Sequence, residues 1–330
     1  MGVVLNTIVT VAAGIGAALA VYWVLDRLVA LMPTKTAEKL RPFVYILPAY
    51  AAITLYLIYP TVLTAIYAFK DAASQNWVGF DNFDYLFHQQ DFKDALVNTL
   101  LWIAIVPAAT VILGLVIATL SDRLSGGGEK LAKTIIFMPM AISMVGASVI
   151  WRFVYDYDAQ REAQDKAQIG LQNATWDAIG GNPVDWLGQT SFHINSMWLM
   201  VILLWAQIGF SMVLLSAAIK GVPDDTLEAA RIDGASEGQI FFRVVVPQIK
   251  GTIITVFVTV TITVMKVFDV VYVITNGSRK TNVLANEFFN QFLTNFDTGH
   301  ASAIVLILVV LVIPFMIYQV RHFRAEEANA

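Results

Sequence analysis

The sequence predicts an all-α polytopic membrane protein with seven transmembrane helices. Hydrophobic residues make up 57% of the 330-residue chain, charged residues only 14%, and the mean hydropathy is +0.65. A soluble domain carries about a quarter charged residues, and here the deficit is spread along the whole chain. Seven apolar segments, at about 3–25, 43–69, 96–120, 134–154, 196–218, 251–275 and 300–320, each reach the length needed to cross a bilayer as helix, roughly 20 residues.

The first segment contains Ala18-Leu19-Ala20, which looks like a signal-peptide cleavage site. No lysine or arginine precedes Asp26, however, so the basic leader region is missing and the segment reads as an uncleaved transmembrane helix. The interval after the second segment is aromatic, with Trp77-Val78-Gly79-Phe80-Asp81-Asn82-Phe83 followed by Tyr85, Phe87 and Phe92. Interfacial aromatic belts are expected in any membrane protein; a docking surface for a substrate-delivery protein is the sharper reading. Gly126-Gly127-Gly128 follows the third segment. It lacks the Gly-Lys-Ser/Thr ending of a phosphate loop and reads as a flexible turn. The interval 155–195 is long, acidic and amide-rich, with Trp176, Pro183 and Trp186.

Basic residues orient the chain. Arg27, Lys35, Lys39 and Arg41, then Arg123, Lys130 and Lys133, then Lys220, Arg231, Arg243 and Lys250, then Arg321 and Arg324 place 13 on one side. Lys70, Lys93, Arg161, Lys166, Arg279 and Lys280 place 6 on the other. The positive-inside rule makes the first set cytoplasmic, with the N-terminus outside and the C-terminus inside.

The longest polar interval on the basic side, 219–250, has a definite grammar. Gly221-Val222-Pro223-Asp224-Asp225 opens it. Proline suits the first helical position, and the two aspartates complement the positive helix end. Glu228-Ala229-Ala230-Arg231-Ile232-Asp233-Gly234-Ala235 follows. Gly234 suits a left-handed cap, and Ser236-Glu237-Gly238-Gln239 has the spacing of a capping box. The pattern reads as helix, sharp turn, helix, with two small alanines that allow another protein's backbone to come close.

These residues resemble the EAA loop of the membrane subunits of ATP-binding-cassette importers, E-A-A-x-x-x-G, nine residues, then I-x-L-P. Here Val244 and Val246 stand in the Ile and Leu places before Pro247. The resemblance extends over nearly the whole chain from residue 43 and is nearest the carbohydrate-uptake permeases of maltose and α-glucoside type. Gly79-Phe80-Asp81-Asn82-Phe83, Phe137-Met138-Pro139, Trp205-Ala206-Gln207-Ile208-Gly209-Phe210 and Phe268-Asp269-Val270-Val271-Tyr272-Val273-Ile274-Thr275 carry it. It implies an extra N-terminal helix and linker (1–42) ahead of a six-helix core (43–330), in a bacterial inner membrane. It implies a heterodimer with a second permease, a dimer of ATPase subunits that bind ATP and magnesium, and an extracytoplasmic sugar-binding protein. Glu228, Ala229, Ala230, Asp233, Gly234 and Pro247 would couple this chain to the ATPase. Sugar-path positions of maltose carriers fall on Trp205, Ile208, Gly209 and Met212, and on Val260, Val264 and Val267. The three valines cannot hydrogen-bond a sugar, so either the partner permease holds the polar contacts or the path here only excludes water while the sugar slides past.

No catalytic set is present. His88, His193, His300 and His322 are scattered without metal-ligand spacing, there is no Walker A motif, and there is no cysteine. The chain is therefore expected to be a permease and not an enzyme, with no cofactor or metal of its own and no nucleic-acid partner. Two polar features lie within the spans. Lys266 and Asp269, three apart, would meet on one face of a helix, either as a self-neutralising pair that fixes packing or as part of a gate. Gln207 and Ser211, one turn apart, would either bond neighbouring helices or touch a polar solute. Rival readings are an importer of another solute, such as glycerol phosphate or a polyol, and a secondary carrier or channel. The latter leaves the EAA pattern unexplained and calls for ion-coupling carboxylates or inverted repeats.

Overall fold

A computed structural model describes residues 2–164 and 166–329. Among them there is no β-strand, and the chain divides into two compact units, Met1–Ile66 and Tyr67–Ala330. The division expected at 42/43 rests on resemblance; the division by packing falls later.

The first unit is a helical hairpin. α1 (Gly2–Ala30) turns at Leu31–Pro33 into α2 (Thr34–Ile53). Asp26 ties the hairpin by accepting hydrogen bonds from Tyr45 at 2.6 Å and Arg41 at 3.2 Å, while Tyr22 stacks on Tyr45. The helix continues through a π-helical turn, Thr54–Ile58, into α3 (Tyr59–Tyr67). The turn sits just before Pro60, which has no N–H to give the carbonyl four residues back, so the ladder must re-register.

In the second unit, α4 (Asp81–His88) leads into α5 (Gln90–Ser121), then α6 (Gly126–Phe137), a 3₁₀ turn at Met138–Ala141, and α7 (Met144–Val154). Short α8 (Ala159–Ala163) and α9 (Leu171–Ala178) lie in the long interval before α10 (Ile194–Lys220), which at 1.5 Å per residue is about 40 Å long. α11 (Asp224–Ile232) and α12 (Glu237–Ile240) follow, then a π turn (Phe241–Val245) and α13 (Val246–Gln248). α14 (Lys250–Met265), α15 (Asp269–Ile274), α16 (Leu284–Phe289) and α17 (Thr298–Asn329) complete the chain.

Five helices, Leu5–Ala30, Thr34–Tyr67, Gln90–Ser121, Ser191–Lys220 and Thr298–Arg321, are long and apolar enough to cross a bilayer unaided. The other two expected spans differ from the single helices the sequence suggested. The fourth bends by 103° between Ala141 and Met144, and the run Glu237–Gln248 meets Lys250–Met265 at 69°. In the fourth span Pro139, which lacks a donor and crowds the preceding turn, ends α6 at Phe137. Ile142 is extended, and Ser143 restarts the helix by accepting from the Gly146 N–H. The sixth span breaks again at Lys266–Phe268, between α14 and α15, with neither proline nor glycine at the break. Its Thr- and Val-rich sequence is a weak helix former, so packing decides where it ends. Gly126–Gly128, expected as a flexible turn, are the first turn of α6. Glu129 in that turn pairs with Lys133 one turn on, which favours helix.

α10 is the centre of this unit. Trp102 and Val106 of α5, Leu199, Ile202, Met212 and Leu215 of α10, and Val256, Val260 and Val264 of α14 form its buried core. In lipid such contacts are held by close fit, since the solvent is as apolar as the side chains. Gly114 of α5 supplies that fit, because a Cβ there would lie 2.2 Å from Ser211 Oγ and 3.1 Å from the Met212 nitrogen. At one end of the bundle Lys133 donates to Asp122 and Glu129, both at 2.6 Å, and to Ser216 at 2.5 Å, joining α5, α6 and α10. At the other end buried Asn98 donates to the carbonyls of Lys280 and Asn282, and Asn195 donates to that of Arg279.

Candidate functional site: a helical elbow and a broken-helix path

The interval 219–250 folds as helix, turn, helix. Pro223 is the N-cap of α11, one place earlier than expected, and Asp224 and Asp225 occupy the first turn. At the other end Gly234 has φ +81°. Its N–H donates to the Arg231 carbonyl at 3.0 Å, and the Ala235 N–H donates to the Ala230 carbonyl at 3.1 Å. The pair of bonds is a Schellman closure, which only a left-handed residue completes without strain. Ser236 and Gln239 make both halves of the capping box. Arg231 bridges the elbow to Glu237 at 2.9 Å, and that carboxylate raises the arginine's pKa.

The two arms of the elbow are held on a small apolar cluster of Val222, Ile240, Val245 and Ile249, against which Leu227 and Ala230 pack. Ala230 therefore turns inward, while Glu228, Ala229, Asp233 and Gly234 are exposed. Pro247, in α13, is exposed too, near the 69° bend. Ile232 stands out at 86% exposed, a large apolar side chain between the exposed Arg231 and Asp233. Sequence reading passed over it, although an isoleucine between Arg231 and Asp233 was its visible signal. Behind the elbow an open groove of about 880 Å³ runs between the ends of α5 and α10, floored by Leu120, Val222 and Phe241 and edged by Arg123 and Lys220.

The second candidate region surrounds the middle of α10. Gly209 seats on the end of α6, one turn ahead of the break in the fourth span, where a Cβ would come within 2.5 Å of the Ile136 carbonyl oxygen and 2.6 Å of Phe137 Cα. Trp205 is half-buried and meets Trp151 of α7 edge-on, with ring centroids 5.7 Å apart. Ile208 and Gln207 are half-buried, and Gln207 makes no side-chain hydrogen bond within the described residues. Met212, Val260, Val264 and Val267 are buried in the core around α10, so in this conformation they face the chain's own interior. Ser211 is also buried, without a hydrogen-bond partner, against Gly114. It does not share the environment of Gln207.

Lys266 and Asp269 do not pair. The expectation of a shared helical face assumed a continuous helix. α14 ends at Met265, Lys266 is its exposed C-cap, and Asp269 opens α15 half-buried. No ion pair joins them among the described residues. Of the histidines, His193 hydrogen-bonds Asn98, and His300 pairs with Asp297 and stacks on Tyr85. The side chain of His322 lies outside the described residues.

Comparison with known proteins agrees with this architecture. The family described as binding-protein-dependent transport system inner membrane component matches residues 110–325. The chain is 43% identical to the alpha-glucoside transport system permease protein AglF of Rhizobium meliloti, over 98% of each chain. It is 44% identical to the osmoprotective compounds uptake permease protein GgtC of Synechocystis, over 86% of this chain and 99% of that one. It is 28% identical to the trehalose/maltose transport system permease protein MalF of Thermococcus litoralis, over 88% and 97%. In structure it is similar to a chain of a bacterial alginate ABC transporter in complex with its alginate pentasaccharide-bound periplasmic protein. There the TM-score is 0.72 and the identity 21%, over 86% of this chain and 94% of that one. With its broken spans, its central α10 and its helical elbow, the chain belongs to the inner-membrane permease family of binding-protein-dependent ABC importers.

Proposed function

We propose that this chain is one of two different permeases in a sugar importer, forming half of the translocation path. Its elbow at Glu228–Gly234 docks in a groove of a cytoplasmic ATPase dimer, which holds ATP and magnesium. Closure of the ATPases moves the elbow and rocks the two permeases between inward-open and outward-open states, and an extracytoplasmic binding protein delivers the sugar. The observation that carries this reading is the elbow itself. A rigid, capped turn with an exposed Ala229 and a protruding Ile232 is a shape made to seat in another protein, and it links the central α10 to the bent sixth span. Relatives whose names specify α-glucosides and trehalose/maltose support an oligosaccharide or α-glucoside as cargo. A second reading, uptake of a smaller osmoprotective solute such as a polyol, is supported by the relative named for osmoprotective compounds.

The path is read along Trp205, where an indole face can stack on a sugar ring. The decisive experiment is to purify the complex with its binding protein, identify the solute that stimulates ATP hydrolysis, and repeat the assay with Trp205→Ala. The complex is expected to assemble normally, and uptake to fall about tenfold or change its preferred sugar, equivalent to about 1.4 kcal/mol of lost contact. Normal uptake with unchanged preference would return Trp205 to helix packing.

The orientation follows from the 13-to-6 basic asymmetry. With the N-terminus outside and the C-terminus inside, the elbow lies where ATP is. A reporter fused after Ala330, which lies outside the described residues, is expected to be active only if it works in the cytoplasm. Activity of a reporter that works only in the periplasm would invert the topology.

A further inference from the structure

We propose that Trp151 is a second sugar-contacting residue of the path, one that sets specificity, and that Tyr155 positions it. The inference rests on the reading of Trp205 as a path residue. Trp151 stands on α7 about two turns beyond the break at Ile142–Ser143. It meets Trp205 at 5.7 Å with ring planes inclined by 71°. The two rings therefore make a corner and not a stack, and both remain half-buried, so neither is fully covered by the chain. Neither indole N–H has a hydrogen-bond partner among the described residues, whereas Trp186 Nε1 donates to Asn173 at 3.0 Å. On a half-buried ring such an N–H is open to an acceptor carried by a bound solute. A corner of two aromatic faces with two unused donors suits a ligand that has both an apolar ring face and oxygen acceptors. A pyranose has both; a straight-chain polyol has acceptors but no ring face.

The corner is braced from one side. Tyr155 is 3% exposed, lies 5.2 Å from Trp151 ring to ring, and donates its hydroxyl to the Trp198 carbonyl at 2.8 Å. That bond fixes the phenol at its far end, so the ring cannot swing away from the indole. Trp198 in turn packs on Trp186 at 5.0 Å, which Asn173 locks. Tyr155 thus acts through Trp151 and does not itself meet the solute.

The test uses the full transporter with its binding protein in proteoliposomes. It compares uptake of a labelled α-linked glucose disaccharide with that of a labelled straight-chain polyol. Because the binding protein is unchanged, a shift in the preference ratio belongs to the permease. Trp151→Leu is expected to lower the disaccharide-over-polyol ratio about tenfold, within the range one lost pocket contact gives, while Trp151→Tyr keeps most of it. Tyr155→Phe, which keeps the ring and removes only the hydroxyl, is expected to shift the ratio the same way by a smaller factor. If Trp205→Ala shifts the ratio and Trp151→Leu does not, this inference fails while the path reading stands. If neither shifts it, the path reading has failed and takes this inference with it. If Trp151→Leu lowers the yield of complex but the remaining complex keeps its ratio, Trp151 is a packing residue and the proposal is overturned. Should Trp151→Leu not assemble at all, an unchanged ratio in Tyr155→Phe overturns it equally.

Discussion

Gly234→Val is expected to abolish coupled transport while the protein still inserts in the membrane. The glycine sits at φ +81°, and both bonds of the helix closure, from Gly234 to Arg231 and from Ala235 to Ala230, depend on that angle. A Cβ at this position would meet nothing within 4 Å. The damage is therefore conformational and not a clash. A non-glycine residue held in the left-handed region costs about 1–3 kcal/mol, and a β-branched one is disfavoured most. At 1.4 kcal/mol per factor of ten, the correctly turned elbow would lose one to two orders of magnitude in population. The expected order of remaining activity is Gly234→Asn, then Gly234→Ala, then Gly234→Val, because asparagine tolerates the left-handed region best. Solute-stimulated ATP hydrolysis and uptake by the assembled transporter are the measurements. A valine variant with intact coupling would mean that the angle between the two arms does not transmit the ATPase stroke.

The elbow was legible in the sequence because its signals are local. Capping boxes, left-handed glycines and acidic first turns act over three or four residues, and Ser236, Gln239 and Gly234 do what their spacing implies. Proline at 223 was read one place late, since N-cap and first-turn positions differ only in the backbone angle of one residue. The spans were legible as lengths of apolar chain, and their interruptions were not. In lipid every face of a helix can be apolar, so there is no periodicity to lose at a break. Pro139 was in view and marks one break, but the break at Lys266–Phe268 carries no such residue. Packing of α15 against α7 and α10 sets it, and packing is not written in a single segment. The supposed Lys266–Asp269 pair followed from treating that span as continuous. Trp151 was missed for a related reason: nothing in the spacing of 151 and 205 says that the two rings meet across α7 and α10.

Gly209→Ala is expected to destabilise the protein and to cut transport by at least tenfold, and its sign makes it informative. In an isolated helix, alanine in place of glycine stabilises by about 1 kcal/mol. Here the same methyl group would lie 2.5 Å from the Ile136 carbonyl oxygen and 2.6 Å from Phe137 Cα. Those atoms belong to the backbone of the fourth span, at the end of α6, and cannot rotate out of the way as a side chain would. Either α10 must retreat or the end of α6 must shift, and inserting a methylene into a closed contact costs about 1–3 kcal/mol. Gly114→Ala is the control. Its nearest obstacle is the Ser211 side chain at 2.2 Å, with the Met212 nitrogen farther off at 3.1 Å. The double change Gly114→Ala with Ser211→Gly should recover part of the loss, whereas no side-chain change can relieve Gly209. Thermal unfolding of the detergent-solubilised protein measures the stability term, and uptake by the assembled transporter measures what the displacement does to the path. A Gly209→Ala protein that melts higher than the parent would show that α10 is free of the fourth span at this level. The corner made by Trp151 and Trp205 would then lose the fixed hinge on which its geometry depends.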